Sequence, residues 1–107
     1  MADTAIINTI KKYLKGLVQQ GVPVQYAVLF GSQAGHEANE WSDIDLLVVS
    51  PIFDGERQRA DINLLWRTAA RTDSRIEPIP IGLVQYENGK GNPIVEVARR
   101  EGEVVGL

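Results

Sequence analysis

Residues 26 to 50 read YAVLFGSQAGHEANEWSDIDLLVVS, and two apolar runs inside this stretch decide the fold. Tyr26 to Phe30 is aromatic and aliphatic, and Ile44 to Val49 is almost unbroken aliphatic. Runs of that length and continuity suit strands covered on both faces, so the expected architecture is α/β (α+β): a small mixed sheet with helices packed on it. Gly31 and Ser32 stop the first run, and Asp43 and Asp45 open the second. Side chains alternate along a strand, so the two aspartates point to one face while Ile44 points to the other.

Two carboxylates aimed the same way repel each other, and a cation between them relieves the conflict. Magnesium takes carboxylate oxygens, keeps several waters and shares substrate phosphates, so an Asp-x-Asp pair beside a phosphate-sized turn reads as a metal and nucleotide site. Gly31 permits a close backbone approach, and Ser32 offers a hydroxyl and an N–H. The plainer reading of Asp43 and Asp45 is a strand-opening turn with solvated charges. For Ser32 it is a helix cap, which is compatible with phosphate binding because a short helix over Ser32 to Ala38 would present its N-terminus to an anion.

Working outward, Asp3 or Thr4 caps a helix to about Gln20, with apolar residues at spacings of three and four, and Gly21 and Pro23 end it. Lys11, Lys12 and Lys15 fall mainly off the apolar stripe and read as a solvated face. Beyond Ser50-Pro51 and the Asp54-Gly55 turn, a second helix is expected from about Glu56 to Thr72, with Ile62, Leu65, Trp66 and Ala69 on one face. A helix between two strands is the usual crossover that makes them neighbours. Ile76 to Val84 alternates as a strand with Glu77, Ile79 and Ile81 on one face; Pro78 and Pro80 lack N–H donors, so the strand lies at a sheet edge or turns its proline side away from its partner. Tyr86 to Asn92 reads as a loop, Pro93 to Gly102 as a last helix, and the closing EVVGL as a short strand or tail.

The length of 107 residues fits one domain over 1–107. No cysteine is present, which removes disulfides and thiol chemistry and fits a reducing compartment. There is no run long enough to span a bilayer and no signal-peptide pattern, so a cytoplasmic protein without a membrane partner is expected. A net charge of −3 argues against a duplex nucleic acid partner.

Gly31-Ser32, ten residues, then Asp43-Ile44-Asp45 resembles the signature of the nucleotidyltransferase superfamily that includes DNA polymerase beta, and most closely its minimal nucleotidyltransferase (MNT) members. The resemblance covers Tyr26 to Ile81. It implies that Gly31 and Ser32 grip the triphosphate of a nucleoside triphosphate and that Asp43 and Asp45 hold two Mg2+ ions. It also implies a third carboxylate on a neighbouring strand that completes the metal site and acts as general base; by position this is Glu77, with Asp54 and Asp61 as weaker rivals. The reaction implied is transfer of a nucleoside monophosphate, AMP from ATP, to a hydroxyl. Relatives with small-molecule or transfer RNA acceptors carry an extra domain, so the acceptor surface is expected from another molecule. Minimal members are often paired with a helical HEPN protein in toxin-antitoxin modules, which makes that the implied partner. One departure stands out: Gly35 and His36 occupy positions where minimal members commonly show arginine then glycine. The alternative is therefore a non-catalytic antitoxin that neutralises a helical partner by contact. Oligomeric state is open.

Overall fold

The computed structural model describes residues 3–31, 42–89 and 91–107. Its chain order is α1 (Thr4–Gln19), β1 (Tyr26–Phe30), β2 (Ile44–Val49), a 3-10 turn (Pro51–Phe53), α2 (Arg59–Thr72), β3 (Ile76–Ile81), α3 (Leu83–Asn88), α4 (Pro93–Glu101) and β4 (Glu103–Val105). The strands form one mixed sheet in the order β3-β2-β1-β4. β1 runs antiparallel to both β2 and β4, whereas β2 and β3 are parallel across the α2 crossover.

Alternation along β2 splits the core into two layers. Ile44, Leu46 and Val48 join Ala27 and Leu29 of β1 against Ile10, Tyr13, Leu14 and Leu17 of α1 and Leu65 and Ala69 of α2. Leu47 and Val49 join Val28, Ile81, Tyr86, Val95 and Ala98 on the other face, beneath α3 and α4. Each fully buried aliphatic side chain contributes about 1.5–3 kcal/mol, which explains why the two apolar strands β1 and β2 sit inside the sheet. Tyr13 joins the two helices of the first layer, its hydroxyl donating to the Leu65 carbonyl at 3.0 Å. Burial pushes that phenol far above its usual pKa.

α1 starts where expected, with the Asp3 side chain accepting from the Ala5 N–H at 3.0 Å. β3 is an edge strand, as its prolines require. The Arg75 carbonyl accepts from Ile44 N–H and the Ile81 carbonyl from Ser50 N–H, so the odd-numbered residues of β3 turn their backbone groups toward β2. Pro78 and Pro80 therefore face the open edge, where no N–H is needed.

Three expectations differ from the structure. α2 begins at Arg59 rather than Glu56, and Trp66 is 50% exposed instead of belonging to the apolar face. β3 stops at Ile81, and Leu83–Asn88 is helical where the end of a strand and a loop were expected. The cause of the last is remote in sequence: the Asp54 carboxylate accepts from the N–H groups of Val84 and Gln85, both at 3.1 Å, and so supplies the first turn with acceptors. Among the described residues, no helix is long and apolar enough to cross a membrane.

Candidate functional site

Three acidic side chains converge where β2 and β3 begin. Asp45 is the register partner of Glu77 across the parallel pair and of Phe30 across the antiparallel one. Register partners share a face, so Phe30, Asp45 and Glu77 form one transverse row on the α3/α4 side of the sheet. Asp43 stands two residues ahead of Asp45, immediately before β2. Next along the same face lies the row Val28, Leu47, Ile79, of which Val28 and Leu47 are buried. The acids thus occupy the rim of an apolar layer, with Asp43 and Glu77 exposed and Asp45 half-buried.

Their charges interact. The Glu77 carboxyl is raised above its ordinary range, first by the negative charge of Asp43, then by partial loss of water, and then by a hydrogen bond with Asp45 and that residue's charge. Like charges gathered on one face repel one another, and a bound cation would relieve that repulsion.

Gly31 closes the site from the β1 side. Its φ is +76°, a left-handed conformation that favours glycine. A β-carbon built there would collide with the Asp45 carboxylate, lying 3.2 Å from its Cγ. The backbone bend after β1 therefore rests directly against one of the acids. Phe30, the residue before the bend, was not singled out by the sequence; its signal is only that it ends the first apolar run, and the register is what puts it beside Asp45.

The donor set bears on whether a divalent ion fits. All three side chains offer only oxygen, the donor Mg2+ takes, and the raised Glu77 marks negative charge in excess. Among the described residues, no group of three His, Cys, Asp or Glu stands in a ready-made metal-holding arrangement. The acids form a converging patch, not a finished cage. That suits an ion which completes its shell with water and substrate phosphate oxygens.

The rival acids have other places. Asp54 is occupied at the start of α3, and Asp61 lies in the first turn of α2. Ser32, Gly35, His36 and Trp41 lie outside the described residues.

Comparison with known proteins gives a consistent picture. The family described as "Nucleotidyltransferase domain" matches residues 7–88, a span that contains Gly31, Asp43, Asp45 and Glu77. Among curated proteins, no sequence matches the chain. Among solved structures, a candidate nucleotidyltransferase from Sulfolobus solfataricus superposes with a TM-score of 0.63 at 17% identity, covering 92% of this chain and 77% of that one. A chain of the complex between a tri-AMPylated Shewanella oneidensis HEPN toxin and its MNT antitoxin gives 0.56 at 19% identity, covering 92% and 71%. A toxin-antitoxin structure with AMP-PNP gives 0.60 at 20% identity, covering 94% and 73%.

Proposed function

Because this chain belongs to the nucleotidyltransferase domain family, we propose that it transfers a nucleoside monophosphate, AMP from ATP, to a hydroxyl group on a partner protein. The observation that supports this most is the pairing of Asp45 with Glu77 in register, with the charge of Asp43 acting on the same glutamate. In this reading Asp43 and Asp45, with Glu77 beside them, hold Mg2+. When bound, the ions supply charge neutralisation for the polyphosphate and acidify the acceptor hydroxyl. Gly31 lets the backbone approach the phosphates, and Ser32 adds a hydroxyl and an N–H. Glu77 takes the proton of the acceptor hydroxyl as its oxygen attacks the α-phosphorus. The new P–O bond forms, the bond to pyrophosphate breaks, and pyrophosphate leaves with its electron pair.

The neighbours support one kind of partner. One similar structure holds an AMPylated HEPN toxin and another a toxin-antitoxin pair with AMP-PNP, so a HEPN-type helical protein is the proposed acceptor, and the chain the antitoxin of such a pair. Incubation of the protein with ATP, Mg2+ and that partner should add the mass of one or more AMP groups to the partner. Glu77→Gln should slow the transfer by about 10²–10⁴-fold, and Asp43→Asn or Asp45→Asn should bring it to background. Retention of transfer in either aspartate variant would overturn the assignment.

A second reading rests on Gly35 and His36, which leave this part of the chain without the cation that minimal members commonly carry. In that reading the protein neutralises its partner by contact alone. Calorimetry separates the two: the catalytic reading requires Mg2+-dependent ATP binding, and the contact reading requires none.

A further inference from the structure

Charge is divided unevenly over the molecule. α1 and α2 carry Lys11, Lys12, Lys15, Arg59, Arg67 and Arg71 against the single acid Asp61. The remaining residues of this net-negative chain carry five cations and thirteen acids. Four of the helical cations, Lys11, Lys12, Lys15 and Arg71, line a groove of about 850 Å³ between α1 and α2. The groove lies on the outside of the helical layer, across the sheet from the carboxylates.

Gly16 and Thr68 bring the two helices close there, since a β-carbon on Gly16 would meet the Thr68 methyl at 3.2 Å. Arg71 is held at the rim by Gln20, whose Oε1 accepts from it at 3.1 Å while the same side chain's Nε2 donates to Thr68 Oγ1 at 2.8 Å. The three lysines are exposed. Among the described residues, none of the four cations is in an ion pair. Four like charges along one short groove repel one another, and an anionic occupant removes that repulsion.

We infer that the α1–α2 groove docks an acidic polypeptide segment of a partner protein. Two observations favour a polypeptide over a nucleic acid. Among the described residues, no aromatic side chain lines the groove, so unpaired bases find no stacking platform there. The cationic stretch is also short: Asn8 to Gln19 spans about 16 Å of helix. A nucleic acid continues past that length as an unbroken line of charge and meets the acidic remainder of the chain, whereas a protein segment can carry its carboxylates in one place. Docking here leaves the carboxylate face open.

Fluorescence anisotropy with a labelled oligoglutamate peptide, measured without nucleotide or metal, tests the inference apart from the transfer reaction. The peptide should bind with an affinity that falls as salt is raised. The combined variant Lys11→Gln, Lys12→Gln, Lys15→Gln should weaken it by roughly tenfold, with the parent's melting curve retained because all three side chains are exposed. Arg71→Gln should weaken it further, and hydrogen-exchange protection on binding should fall in α1 and α2. Undetectable binding, an affinity unchanged in the lysine variant, or tighter binding of a single-stranded oligothymidylate of matching length would overturn it.

Discussion

Gly31 shows how one residue can serve both the backbone and the site. Its φ of +76° and the closeness of Asp45 leave no space for a side chain. Gly31→Ala should cost about 1–2 kcal/mol from the left-handed backbone alone, read as a lower denaturant midpoint, and should displace Asp45 enough to depress transfer more than stability. Asp73 acts where α2 ends and the chain turns into β3. Its carboxylate accepts from Arg75 three times: the backbone N–H at 3.0 Å, Nε at 3.1 Å and Nη2 at 2.7 Å. The Arg75 side-chain hydrogen bonds are the main reason its pKa is lowered, against an opposing contribution from burial. A carboxyl with a depressed folded pKa contributes stability above its unfolded pKa and loses it as pH falls through the folded one. Asp73→Asn should therefore lower stability at neutral pH by about 1.5 kcal/mol. It should also flatten the acid limb of the stability profile below about pH 4, as followed by urea melts across pH. At this scale the sequence showed the acids well, because strand alternation alone puts Asp43 with Asp45 and Glu77 with Ile79. It was silent on the contact between Gly31 and Asp45, which exists only once β1 and β2 pair.

Whole elements were legible where their pattern is local. The β1 and β2 runs, the α1 stripe and the proline-marked edge of β3 all depend on neighbours in sequence, and each lies close to where the pattern put it. α3 was hidden for the opposite reason. Ile81, Gly82, Leu83 and Val84 continue the look of a strand, and the acceptor that turns the next segment into a helix comes from Asp54, thirty residues earlier. The basic groove was hidden too, since three lysines on one amphipathic helix look solvated until α2 brings Arg71 beside them. The prolines of β3 give a test at this scale. Replacing both by valine restores N–H donors along the outer edge and removes the block to a further strand. The double variant Pro78→Val, Pro80→Val should self-associate in size-exclusion chromatography with light scattering at concentrations where the parent does not.

Across the whole molecule, the sheet separates two surfaces of opposite sign, with the acids on the α3/α4 face and the cationic groove outside α1 and α2. If Asp43 and Asp45 hold Mg2+ with ATP, both ligands together should raise the melting temperature. The gain is about 2.7 kcal/mol when free ligand exceeds its dissociation constant a hundredfold. A chelator should reverse the shift, and the double variant Asp43→Asn, Asp45→Asn should not show it. The pairing of Asp45 with Glu77 has a consequence for assembly as well. Were the β2–β3 ladder to zip one step out of phase, Glu77 would swing to the far side of the sheet and sit among the aliphatic side chains under α1 and α2. Burying that lone carboxyl is costly enough to disfavour the mispaired form. The residue proposed to accept a proton thereby also acts as a checkpoint on how the two strands come together.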